Sequence, residues 1–403
     1  MVKIAVLVDY DAQSGGGYVE KQISNRLMQL YGDSIRIVYK TNDWNQINVT
    51  LKELKSENIK LIFDLSYWPI NYYQVKSLKH NLKAITKLPY LLGESYYYAK
   101  KLKVKSAVLL QGMGLNALKF GLPYILIKYL KMKSELPIDI FLNIKNKFIY
   151  TVYKGLRESF ISSFIKYSNA IHRIYGVSQG QLSSLGLAKS KKATVIDPPL
   201  AVEKELLSKR KDVNEKKDYL VFYARLIPLK GILELPFIVK EVITLSGYKE
   251  LKVFIMGKFP VIDLKDFFFS IVNKLSLEEN IVYKGYVSRE ELLNTVSEAR
   301  CVVYPSHEDS FSLAILEAIT MGTPVVAYDI PGPKSVYNGL SAVKFVDEFN
   351  IKSMATEVVK ILKMTDDEYN SLIYNDKMDK FIEKYTDWDL VVERYYRDLM
   401  SLL

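Results

Sequence analysis

The chain has 403 residues, more than one core of ordinary size holds, so two domains are the expectation. With 49% hydrophobic and 25% charged residues it reads as globular rather than disordered, and no apolar run reaches the roughly eighteen residues of a membrane span. The net charge of +11 is uneven, since residues 1–200 hold 29 Lys and Arg against 13 Asp and Glu while the remainder is slightly acidic; one cysteine excludes an internal disulfide, and one cysteine with three histidines leaves no zinc site.

The opening MVKIAVLVDY lacks a cleavage-site pattern and runs straight into Asp9 and Asp11. It therefore reads as a first buried strand, and a cytoplasmic location is expected. Strand candidates follow at IRIVYK (35–40), KLIFDLS (60–66), SAVLLQ (106–111) and RIYGVS (173–178), with helical periodicity between them, which predicts repeated βα units and a parallel sheet. Val19, Ile23, Leu27 and Leu30 mark one face of the first helix. Before it, DAQSGGGYVE supplies Gly15, Gly16 and Gly17, which allow backbone to approach a phosphate or sugar closely. The spacing is neither G-x-G-x-x-G nor a P-loop.

Residues 120–170 read as long basic helices broken at Pro123 and Pro137. They belong to a wider tract, Lys76 to Arg173, with 18 basic and 4 acidic residues interleaved with aromatics and leucines. That composition suits an anionic lipid surface, and it also suits nucleic acid.

The charged, aromatic-poor stretch Val202 to Asp218 is the expected domain boundary, dividing a first domain (1–201) from a second (202–386). Strands are predicted at 219–225, 252–257, 280–285, 301–306 and 324–329, and Cys301 opens one of them as a buried thiol. The closing segment from Asp387 puts Trp388, Val391, Val392, Tyr395, Tyr396 and Leu399 at helical spacing.

The most informative stretch is YPSHEDSFSLAILEAITMGTPVVAYD, Tyr304 to Asp329, in which a strand, a polar turn, a helix and a second strand follow one another. Where strand hands over to helix, free backbone N–H groups gather beside His307, Glu308, Asp309, Ser310, Phe311, Ser312 and Leu313, a corner suited to a phosphorylated, hydroxyl-rich ligand. Glu317, eight residues past Asp309, offers a carboxylate to a vicinal diol. The stretch resembles the donor-binding element of family 4 glycosyltransferases, P-S-x-x-E-x7-E-A followed by G-T-P-V-V. Pro305, Ser306, Glu317, Ala318, Gly322, Thr323, Pro324, Val325 and Val326 fit, and Asp309 stands in place of the first glutamate. YARLIPLKG, Tyr223 to Gly231, similarly resembles the family's G-R-L-x-x-x-K-G, with Ala224 for its first glycine.

The resemblance implies a GT-B fold, two Rossmann-like domains with parallel sheets facing a cleft, and the last helix (387–403) packed back on the first domain. It implies transfer of a sugar from a nucleotide diphosphate donor with retention of configuration and no essential metal or other cofactor. Arg225 and Lys230 would bind the diphosphate as cationic clamp, Glu317 the ribose, and Asp309 with the amides of Ser310 to Ser312 the sugar. Gly285 and Tyr286 would border the base, Gly16 and Gly17 the cleft. His307 either contacts the donor sugar or caps the turn. Where members often carry a histidine on the acceptor side, this chain has Gln111, which cannot act as a base, and Ser178 matches a serine common at the end of the first domain. With the basic first domain, the acceptor reads as a sugar or a lipid-linked glycan and the enzyme as peripheral at the inner face of the membrane; no nucleic-acid partner is expected. The alternatives are a catalytically silent sugar-nucleotide-binding protein and a GT-B sugar-nucleotide epimerase.

Overall fold

The computed structural model describes residues 3–9, 15–41, 43–67, 94–111, 169–260 and 262–403. The expected helices at 120–170, with their breaks at Pro123 and Pro137, and most of the basic tract lie outside these residues. Among the described residues, those up to Ala201 together with Asp387–Leu403 form one compact unit, and Val202–Thr386 forms the other.

The first unit holds a six-stranded parallel sheet of β1 (Lys3–Val8), β2 (Ile35–Tyr39), β3 (Ile59–Asp64), β4 (Lys105–Leu110), β5 (Arg173–Gly176) and β6 (Ala193–Val195), in the order β2-β1-β3-β4-β5-β6. Ile4 to Val8 are fully buried, as an inner strand of a parallel sheet covered on both faces requires. β2, at the edge, buries Ile35 and Val38 and exposes Arg36 and Tyr39, and the three residues of β6 are all half-buried. The first helix, Gly15–Tyr31, buries Val19, Ile23 and Leu27 as its period predicts. Leu30 departs from that face: it lies in the last turn, where the helix runs into a tight turn at Gly32–Ser34, and is 46% exposed.

The helix Trp388–Ser401 belongs to this first unit. It packs on the helix Gly15–Tyr31, with Trp388 edge-on to Tyr18 and Tyr396 stacked on Tyr31. Tyr395 reaches the sheet, meeting Phe63 and Tyr175, and its hydroxyl donates to the Pro199 carbonyl at 3.2 Å.

The second unit repeats the plan with β7 (Lys217–Tyr223), β8 (Lys252–Met256), β9 (Ile281–Gly285), β10 (Ala299–Tyr304), β11 (Val325–Tyr328) and β12 (Val343–Val346), all parallel, in the order β12-β11-β10-β7-β8-β9. All six residues of β10 are buried, including Cys301, whose thiol burial pushes up to about 12. Chain order runs outward from β7 through β8 to β9, then returns to β10 on the other side of β7. The switch point of this sheet therefore lies between β7 and β10, the place where open α/β sheets commonly bind their ligands.

Candidate functional site

The two loops at that switch point carry the residues the sequence singles out. After β7 the chain makes a short turn at Pro228–Lys230 and then adopts a left-handed conformation at Gly231, φ +77°. A side chain there would meet the Pro305 carbonyl oxygen at 2.0 Å, so only glycine lets the loop after β7 lie against the loop after β10. The amide of His307 donates to the Leu229 carbonyl at 2.9 Å and sews the two together.

Lys230 points from the first loop into the second. Its Nζ lies 2.7 Å from Asp309 Oδ2 and donates to the Glu308 carbonyl at 2.8 Å. The Tyr304 hydroxyl, at the end of β10, donates to the same Asp309 oxygen at 2.5 Å. The other oxygen, Oδ1, accepts from the amides of Phe311 and Ser312 at 3.2 and 2.8 Å. Burial alone would raise the Asp309 carboxyl, but Lys230 and these hydrogen bonds outweigh it and hold the group below its usual range. Burial likewise favours a neutral Lys230, and Asp309 with Tyr304 reverses that, keeping the ammonium charged. Both carboxylate oxygens of Asp309 are thus engaged by the protein, and the shortened acid locks the lysine and the turn. Gly332, in the first turn of the short helix Pro331–Tyr337 after β11, comes so close that an added Cβ would lie 2.3 Å from the Asp309 carbonyl oxygen.

The helix that follows, Leu313–Thr320, starts from Ser312 in a left-handed conformation, φ 71°, ψ 84°, uncommon for a residue with a side chain. Ser312 Oγ caps the amide of Ile315 at 3.3 Å, and the Tyr337 hydroxyl donates to the Ser312 carbonyl. The first two helix amides, Leu313 and Ala314, have no protein acceptor among the described residues. One turn further in lies Glu317, 7% exposed, with Oε1 2.5 Å from Nη2 of Arg289. Arg289 opens the helix Arg289–Glu298 that follows β9.

Other expected residues fall in different places. Arg225 is exposed just past β7 and close enough to Lys230 for its charge to act there. Gly285 ends β9 at φ +74°, and Tyr286 beside it is 72% exposed. Phe311, expected toward the donor, and His307, expected either to contact the donor sugar or to cap the turn, are each 2% exposed and directed into the protein. Phe311 packs against Tyr337 and Tyr385. His307 stacks on Phe349, and its ring nitrogens lie 3.4 Å from Glu234 and 3.2 Å from Glu348. Ser310 is buried as well. The contacts of His307 and Phe311 are therefore those of residues that shape the turn from beneath, because the short polar run is also the seam between three loops.

In the first unit, Gly16 and Gly17 form the start of the first helix, and the preceding residues 10–14 lie outside those described. Gln111, just past β4, donates to the Leu65 carbonyl at 2.6 Å, and Ser178 caps the helix Gln179–Ser184. The carboxyl ends of β1 to β3 carry a charged group that the sequence does not announce. Lys40 Nζ lies 2.5 Å from the buried Asp64, and Glu20 and Glu94 accept from the amides of Asp9 and Thr41. Burial raises the carboxyls of Glu20 and Glu94 to about 7 against the pull of those amides and of Lys40.

Comparison with known proteins bears on this arrangement. Residues 203–379 match the family of glycosyl transferases group 1. Over 221 residues the chain is 23% identical to the poly(glycerol-phosphate) alpha-glucosyltransferase of Bacillus subtilis (strain 168), covering 53% of this chain and 30% of that one. It is 24% identical over 247 residues to an uncharacterized glycosyltransferase of Methanocaldococcus jannaschii, covering 61% and 57%. The chain thus spans less than two thirds of the length of either relative. Among solved structures, Anabaena HepE in complex with UDP-glucose superposes with a TM-score of 0.65 at 12% identity, covering the whole of both chains. The fold is GT-B, and the unit built on β7 to β12 is the part of the chain that matches the glycosyl transferases group 1 family.

Proposed function

We propose that the protein is a glycosyltransferase that takes a sugar from a nucleoside diphosphate sugar, a UDP-hexose in the first instance, and transfers it with retention of configuration to a sugar or lipid-linked glycan. The observation that carries this reading is the conjunction at one switch point of Lys230, held charged by Asp309, the two open amides of Leu313 and Ala314, and the carboxylate of Glu317. Cation and amides suit a diphosphate, and the carboxylate one turn along suits the ribose diol. The group 1 match over the same residues and the UDP-glucose bound to HepE support it. Tyr286 and Gly285 border the base, and Asp309 serves the sugar through the turn it holds.

In the proposed reaction the bond from the sugar's anomeric carbon to the β-phosphate oxygen breaks as the acceptor oxygen bonds to the same face of that carbon. The acceptor proton passes to the leaving phosphate oxygen, and the nucleoside diphosphate departs. Lys230, Arg225 and the helix amides stabilise the charge that grows on the diphosphate. Neither a metal nor a histidine base is required by this route, which accommodates Gln111.

An anionic membrane surface is the proposed partner of the first unit, supported by its surplus of Lys and Arg. Binding to anionic vesicles that weakens from low to physiological salt is the expected result, and no binding at either would remove this part. For the reaction itself, the protein is incubated with UDP-, GDP- and ADP-sugars, and nucleotide release is followed with and without acceptor glycolipid. Lys230→Ala should lower turnover by about thirtyfold or more, the loss of a charged hydrogen-bond partner. Equal rates for wild type and Lys230→Ala would sink the assignment.

A further inference from the structure

Glu317 and Arg289 lie 28 residues apart on different helices, yet Arg289 Nη2 and Glu317 Oε1 meet at 2.5 Å. The acid is covered, whereas half of the Arg289 side chain is open to solvent. An ionised carboxylate so covered needs a partner charge, and a planar guanidinium supplies both charge and direction. Only Oε1 is taken: Oε2 makes no hydrogen bond to the described protein. Arg289 also acts electrostatically on Tyr223, whose hydroxyl donates to the Ala314 carbonyl at 2.5 Å, so the pair sits at the root of the same helix that offers its amides.

We infer that Arg289 is a positioning residue for the nucleotide's ribose. By fixing Oε1 it holds the carboxylate in one orientation and leaves Oε2 to accept from the vicinal hydroxyls. The inference rests on the reading of Glu317 as the ribose acceptor, and it assigns to the mouth of the helix Arg289–Glu298 a part in selecting ribonucleotides over deoxyribonucleotides. Arg289 acts through Glu317 and need not touch the ligand.

The experiment is calorimetric titration of the full chain with UDP and with 2′,3′-dideoxy-UDP, or with the GDP or ADP pair if that base binds better. Wild type should prefer the ribonucleotide. Arg289→Ala should weaken its binding about tenfold while leaving the dideoxy analogue unchanged, and Arg289→Lys should restore part of the difference. Equal weakening of both nucleotides, or of neither, would overturn the inference. Glu317→Ala separates the two layers. If it keeps the full ribose preference, the reading of Glu317 fails; if it abolishes that preference while Arg289→Ala does not, only the role of Arg289 fails. A wild-type protein that binds none of the three nucleotides would overturn both.

Discussion

Replacing Asp309 by asparagine removes one charge from the centre of the switch-point loops while keeping the side chain's size. In the native protein Oδ2 sits 2.7 Å from the Lys230 ammonium, and both side chains are largely covered, 14% exposed for the lysine and 20% for the acid. At an effective dielectric of about 20 the attraction is on the order of 6 kcal/mol before desolvation is subtracted. Leaving the lysine in place without its partner should cost about 3 kcal/mol net. The new amide also turns an NH₂ group either toward Lys230 and Tyr304 or toward the amides of Phe311 and Ser312, donors in each case. The tryptophans provide an internal control, because all three, Trp44, Trp68 and Trp388, lie outside the segment 202–386. Unfolding followed by far-ultraviolet circular dichroism should show the transition of the unit Val202–Thr386 moved to lower denaturant, whereas the tryptophan fluorescence transition stays. Donor affinity should fall in parallel. A shift worth under about 1 kcal/mol, with nucleotide affinity unchanged, would refute the claim that Asp309 holds Lys230 for the diphosphate.

Three further outcomes are expected. Burial would lower the His307 imidazole, but Glu234 and Glu348 on either side raise it above its usual range, with Tyr328 and Phe349 as the neighbouring rings. The stability this contributes is complete below the unfolded-state value of about 6.5 and is lost as pH rises through the higher folded-state value, so the second unit should weaken on the alkaline side and His307→Gln should flatten that limb; a wild-type profile flat from pH 6 to 9 would contradict it. Gly231→Ala, with a Cβ forced against the Pro305 carbonyl, should destabilise the same unit by on the order of 3 kcal/mol in the dichroism assay, and a loss below about 1 kcal/mol would show that the loops can part. Transfer rates measured with and without excess chelator should agree; a rate that collapses and returns with added Mg²⁺ would contradict the leaving-group role proposed for Arg225 and Lys230.

Ten of the twelve described strands are legible as runs of Val, Ile and aromatic residues; eight of them are inner strands, covered on both faces and therefore apolar, and β2 and β9 are edge strands that keep enough of the pattern to be read. The two that are not, β6 with ATV and β12 with VKFV, are short edge strands whose pattern carries little signal. At the site, Asp309 and Glu317 stand out where a strand hands over to a helix, and Lys230 is marked by the resemblance of YARLIPLKG to a family motif. What each of these side chains faces is a different matter. Arg289 reaches Glu317 across 28 residues and an intervening strand, and His307 finds its carboxylates 73 residues before it and 41 after it, on loops that only the sheet order brings together. Periodicity carries no record of such pairings. A polar run such as HEDSFS reads as ligand-facing because nothing local distinguishes a side chain turned outward from one that binds three loops from below.

The fit of Gly231 against Pro305 has a consequence for engineering and for divergence. Because one backbone rests directly on the other, the segment 225–231 and the segment 305–312 form a single inheritable module: neither can be lengthened, shortened or transplanted from a protein of the same fold without its counterpart. Altered donor choice in chimeric proteins should therefore be obtained by exchanging the two segments together, or by leaving both and varying the freer loop that carries Tyr286.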